Sequence, residues 1–388
     1  MHYLLILLAT LSGANEIAGD PWTRHTIDDT SRGADGARLA DANGDAWPDI
    51  ATPWEEGGVI RVYLHPGADK AGQPWPNVTV GQPPAPEDAV LADLDGDGAA
   101  DVVSCTEGND QTVYVHWAPG QEHYLDGAAW KMEAVPATHK ASKWMFCVPA
   151  QIDGRYGIDL VLGSKGDRAQ IGWLEAPEYP RDLGAWRYHK LLDVSWVMSV
   201  LVLDMNADGF PDIAASDRKS PKTRGCLWLE HPGADAAANW PVHYLGAQRH
   251  EVMFIDWPKP RPDTPHRVWA AVCRGPLVRL TQAADGYEED TLPMPPNAGS
   301  GKSVARGDID GDGDADLAVT CEHARGKHGV FWLEAFADGT AARTISGIEG
   351  TKFDLLTLHD LDGDGDLDAL TCEERENLGV IWYENPAR

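Results

Sequence analysis

Apolar residues fall in short runs separated by Gly, Pro, Asn and Asp, a pattern that predicts β-strands and turns rather than helices. One run precedes an acidic segment, as in AVLA from Ala89 or LLTL from Leu355. A second follows it, as in DVVS from Asp101 or DLAVT from Asp316. A third carries a recurring signature: VYLHPG from Val62, IGWLEAP from Ile171, LWLEHP from Leu227, VFWLEA from Val330 and VIWYENP from Val380. A fourth often opens on Trp with His three residues on, as Trp186 with His189 and Trp240 with His243. These Trp-x-x-His pairs are expected to fill space between blades rather than to bind a ligand.

The four-strand unit repeats. Five acidic segments share D-x-[DN]-x-D-[GA]-x-x-D and begin at Asp41, Asp93, Asp204, Asp308 and Asp360. Two degenerate copies complete the series, one from Gln151 and a Pro-rich one from Asp256. Successive starts are 52, 58, 53, 52, 52 and 52 residues apart. Four strands per unit and seven units predict an all-β, seven-bladed β-propeller with antiparallel blades over residues 20–388. The last unit ends after its third strand, and the missing Trp-x-x-His appears at Trp22 and His25. The N-terminal strand is therefore expected to complete the last blade and close the ring, leaving only short edges.

Acids outnumber bases 61 to 32, a net charge of −29. That balance excludes nucleic acid and anionic membrane surfaces as natural partners. The run LLILLATL from Leu4 is too short to span a bilayer and is followed by Ser12, Gly13 and Ala14, which suits a cleavable signal peptide over residues 1–14. The expectation is a secreted protein, extracellular or periplasmic, that is a monomer.

Each intact acidic segment alternates carboxylate or Asn oxygens in a Gly-containing turn, the donor set of a hard cation. Calcium is expected at Asp41, Asn43, Asp45 and Asp49; at Asp93, Asp95, Asp97 and Asp101; at Asp204, Asn206, Asp208 and Asp212; at Asp308, Asp310, Asp312 and Asp316; and at Asp360, Asp362, Asp364 and Asp368. Without a cation, carboxylates this close repel one another and raise one another's pKa. The segments lack the twelfth-position Glu of an EF-hand. In loops and spacing the chain resembles FG-GAP or VCBS repeats, the units of integrin α-subunit propellers and of many secreted bacterial propellers. The literal FG and GAP tripeptides are absent, so the VCBS-like variant is nearer. The resemblance implies about five structural Ca²⁺ ions in the loops between the first and second strands. It does not extend to the loop from Gln151, where Arg155 intrudes, or to the Pro-rich copy.

Among six cysteines, Cys105 and Cys147 are the one pair in neighbouring blades considered for a disulfide; the others read as small buried residues. The repeat also selects residues near the axis on the face away from the acidic loops. Six positions before each loop stand Asp35, Glu87, Met145, Met198, His250, Lys302 and Asp354. Lys143, Trp144, Trp196, Arg249 and Lys352 lie beside them, and Arg274 and His323 follow second strands. Cations could clamp a carboxylate and Trp144 or Trp196 could stack on a sugar, so a polar, carbohydrate ligand is expected there. One alternative is a lyase or dehydratase acting by β-elimination, with His250 or Lys302 as base. A glycosidase pair among Asp35, Glu87 and Asp354 belongs to the same class. The other alternative is a structural or protein-interaction propeller whose axial charges only pair with one another.

Overall fold

A computed structural model describes residues 15–219, 225–261, 264–334 and 341–386. The segment expected to be a signal peptide lies outside the described residues. Seven four-stranded antiparallel sheets follow one another around a ring, each with its strands in sequence order from inside to outside. The exception closes the circle: Thr23–Asp28 pairs with Gly379–Glu384 and is the outer strand of the last blade. No described helix is long and apolar enough to cross a membrane.

The strands form where the alternation demands. Second strands such as Asp101–Thr106 and Asp368–Glu373 are wholly buried, because both faces meet neighbouring blades. Outer strands such as Arg187–Asp193 keep polar residues on the solvent side. The Trp-x-x-His signature is packing between blades, as expected, and within them too: Trp22 and Trp186 sit in cores shared by neighbouring blades, His25 Nδ1 meets Gly72 O of blade one at 3.2 Å, and the His rings also stack inside their own blades. His25, His189 and His243 stack on Trp382, Trp173 and Trp228 with ring centroids 4.4, 4.6 and 4.3 Å apart. Their Nε2 atoms meet Glu384, Glu175 and Glu230 at 2.6, 2.8 and 2.7 Å. Each stack fastens an outer strand to the third strand and is worth about 1 kcal/mol.

Blade five departs from the expected register. Asp256 pairs with Trp269 and holds the strand position that Ala305 holds opposite Ala318 in blade six. The position equivalent to a loop start is therefore Lys259, three residues after the one chosen by spacing. The Pro-rich segment carries none of the marks that set the frame elsewhere. All six cysteines are free thiols. Cys105 and Cys147 lie side by side, and burial pushes the Cys105 thiol well up.

Candidate functional site

A recurring irregularity points side chains at the axis. In the innermost strands the pairing slips by one residue at Glu87, Met145, Met198 and Lys302. Such bulges re-aim side chains. The residue at the bulge and its successor both reach the centre, so Glu87 and Asp88, or Met145 and Phe146, line the same cavity. Successors also bind the blades together. Asp88 accepts from the Cys147 N–H at 3.0 Å, Ser199 Oγ from Ile255 at 3.2 Å, and Ser303 Oγ from Leu356 at 3.2 Å.

The resulting axial cavity, about 310 Å³, takes wall residues from all seven blades. Blades three to five give an apolar crescent of Met145, Phe146, Trp196, Met198 and Phe254, with Lys165 and Arg218 set against Trp196. The other blades give charge: Asp35, Arg38, Glu55, Glu87, Glu107, Lys302, Glu322, Lys352, Asp354 and Arg375. Much of this charge is paired. Lys302 meets Asp354 at 3.0 Å, with side chains 9% and 4% exposed. Lys165 bridges Glu87 at 3.2 Å and Glu107 at 2.7 Å, Arg38 holds Asp88 at 2.9 Å, and Lys352 pairs with Glu374.

The pairing does not offset burial at every carboxyl. Burial, with Asp354, Glu374 and Glu87 nearby, pushes the Asp35 carboxyl well up. Burial outweighs Lys165 at Glu87, which is pushed up to about 8, and burial with Asp354 raises Glu374 to about 7. Asp354 is held below its usual range, since Lys302 and Lys352 overcome the opposing effect of burial. Lys302 is pushed up because Asp354 and Asp35 outweigh burial. Buried Trp196 Nε1, Arg218 Nε and Glu374 Oε1 have no hydrogen-bond partner.

Six of the seven residues six positions before a loop converge here: Asp35, Glu87, Lys302 and Asp354 on the charged wall, Met145 and Met198 on the apolar one. His250 does not; its Nε2 lies 3.3 Å from Glu289 on the outer strand Gly286–Leu292. The three-residue frame error in blade five selected it, and the equivalent residue is buried Met253. Trp144 is also misplaced, fully buried between blades with its indole N–H on Thr138 O at 3.1 Å. It stands one residue before the bulge and so points away from the axis. Trp196 and Lys352 line the cavity. Lys143 lies outside it beside Lys165, Arg249 is exposed, and Arg274 and His323 flank an adjoining cleft. Spacing alone missed Arg38, which shares a strand face with the position two residues before it.

At the opposite end, carboxylate oxygens of the first, third and ninth loop residues come within 4.8 Å of one another in three loops: Asp93, Asp95 and Asp101; Asp308, Asp310 and Asp316; Asp360, Asp362 and Asp368. All donors are hard oxygens, which fits Ca²⁺. The first residue organises the turn, Asp93 accepting from the N–H of Gly96, Asp97 and Gly98. The ninth is a fold residue as well. Asp101 accepts from Leu94 at 3.1 Å and from Ala118 at 2.7 Å, tying the loop to the third strand. Asp159 makes the same two bonds, to Ile152 and Ala176, in the degenerate loop. Burial, with Asp95 close by, pushes Asp101 up to about 7, and burial raises Asp368 likewise to about 7. Arg181 reaches over one loop to pair with Asp95 and Asp97.

Residues 41–104, from the first acidic loop to the second strand of blade two, match the family model of the FG-GAP-like repeat. The chain is a seven-bladed propeller, one stretch of which, residues 41–104, is similar to the FG-GAP-like repeat. Solved structures similar to this propeller include BBS1N in complex with ARL6DN, at 10% identity and a TM-score of 0.54 over 96% of this chain and 98% of that one. Saccharomyces cerevisiae Sqt1 is similar at 8% identity and a TM-score of 0.51, over 97% and 100% of the two chains. At such identities the likeness is one of fold. No curated protein sequence matches this chain significantly.

Proposed function

We propose that this propeller is a calcium-loaded carbohydrate-binding protein of the extracellular space or periplasm, with the axial cavity as its binding site. The observation that carries the reading is the composition of that cavity: a crescent of Met, Phe and Trp faces buried acids and bases. A sugar ring has apolar C–H faces and hydroxyls that both donate and accept. The crescent suits the first. Carboxyl and ammonium groups held side by side suit the second. The partnerless Trp196 and Arg218 nitrogens add donors at the same wall. Calcium in the five acidic loops has a structural role, holding turns whose carboxylates otherwise repel.

The β-elimination alternative loses both bases suggested for it. His250 stands outside the cavity, and Lys302 is kept charged by Asp354. Calorimetric titration of the calcium-loaded protein with neutral and uronate oligosaccharides tests binding, and ultraviolet absorbance of the same mixtures reports any new double bond. Binding abolished by Trp196→Ala and retained in an exposed-residue control such as Tyr179→Ala supports the reading. No binding across the panel defeats it.

A further inference from the structure

The repeat makes one position of each blade comparable around the cavity mouth, the seventh residue after the buried end of the acidic loop. Around the ring it is Glu56, Gly108, Gly166, Lys219, Arg274, His323 and Arg375. The four basic residues are consecutive, on blades four to seven, in a chain whose net charge is −29. The position is a left-handed turn that Gly108 and Gly166 fill in blades two and three (φ +57° and +91°), and Arg274 and His323 occupy it at φ +53° and +56° despite the cost to bulky residues. The Arg274 guanidinium lies 3.4 Å from His323 Nε2. Among the described residues, Lys219, Arg274 and Arg375 have no carboxylate in ion-pair range, whereas many other cations of this molecule do.

The arc is continuous with the cavity. Arg375 and the immediate predecessors of Lys219 and His323, Arg218 and Glu322, line it. Outside it, Arg274, His323 and Lys327 rim a shallow cleft floored by Pro293, Met294 and Pro295. Lys219 Nζ sits 4.6 Å over the Trp196 ring, joining arc and apolar crescent. We infer that the ligand is an anionic, uronate-bearing polysaccharide, with one sugar in the axial cavity and its neighbours running outward so that their carboxylates meet Lys219, Arg274, His323 and Arg375. This rests on the carbohydrate reading of the cavity and adds the ligand's charge and its path.

The test compares oligogalacturonate with the same oligomer after reduction of its carboxyl groups to alcohols, titrated into the wild type, Lys219→Gln/Arg274→Gln and a Glu56→Gln control. These exposed sites carry no buried partner, so the variants should fold. Each lost charge-assisted contact is expected to weaken the acidic oligomer about tenfold. The reduced oligomer should bind all three proteins alike. Rising salt should weaken only the acidic one. Equal binding of both oligomers to the wild type, or an unchanged affinity of the double variant for the acidic one, overturns the inference while leaving the cavity reading intact. Equal affinity for polyglutamate of matched charge also overturns it, in favour of an acidic peptide. Binding of neither oligomer defeats the cavity reading and this inference with it.

Discussion

The two ends of the ring both crowd carboxylates together, and they resolve the crowding differently. At the axial cavity the chain supplies its own countercharge: Lys302 for Asp354, Lys165 for Glu87 and Glu107, Lys352 for Glu374. At the acidic loops it supplies backbone N–H groups and, apart from Arg181 over Asp95 and Asp97, almost no cation. The first arrangement is fixed by folding alone. The second, on the calcium proposal, depends on an ion from solution. Stability at the cavity should therefore respond to mutation and pH, and at the loops to chelation.

The largest effect is expected from breaking a cavity pair. Lys302→Met strands a buried Asp354 and should cost about 3–5 kcal/mol in denaturant unfolding, most of it recovered by adding Asp354→Leu. A cost below about 1 kcal/mol means that the pair is solvated and the contrast between the ends is false. Next, Asp101→Ala leaves two backbone N–H groups unsatisfied and should cost about 2–4 kcal/mol with or without calcium. Asp95→Asn should cost little in chelator, where it loses only the half-exposed pair with Arg181, and more when calcium is present. An Asp101→Ala cost that vanishes in chelator would reduce the ninth residue to a ligand alone.

Chelation itself is the third test. A site at one hundred times its Kd contributes about 2.7 kcal/mol, so EGTA should lower Tm and added Ca²⁺ should restore it. An unchanged Tm removes calcium from the account. The smallest effect concerns pH. Glu87, raised to about 8, binds a proton in the folded state that the unfolded chain has already released above its ordinary carboxylate pKa. Its contribution is therefore full at low pH and is lost as pH rises through about 8. Glu87→Gln should flatten the stability profile between about pH 5 and 8, read from Tm in chelator so that the loops do not confuse it.

The fold was legible because it is written seven times. Any one strand is ambiguous, but a fixed acidic loop and a W-x-E strand at constant spacing leave little freedom, and even the N-terminal closing strand follows from Trp22 and His25. The site was legible by the same device and failed where the device failed. His250 came from the blade whose marker loop is replaced by prolines, where counting from the neighbours runs three residues short. Trp144 failed for another reason. Alternation assigns faces by parity, and a bulge reverses parity at one residue without any mark in the sequence. Charge pairing was less visible still, because Arg38 and Asp88, 50 residues apart, meet only once neighbouring blades stand side by side.

The joining of Thr23–Asp28 to Gly379–Glu384 also sets an order of events. A strand near the start of the chain must wait for one near its end, across more than 350 residues. Until then the last blade lacks its outer strand and the ring remains an open arc. Blades made of local hairpins can form as they are synthesised, but this contact is non-local and belongs to the slow part of folding. If export precedes folding, the ring is closed only on the far side of the membrane, and clipping within Thr23–Asp28 would reopen it without touching a single residue of the cavity.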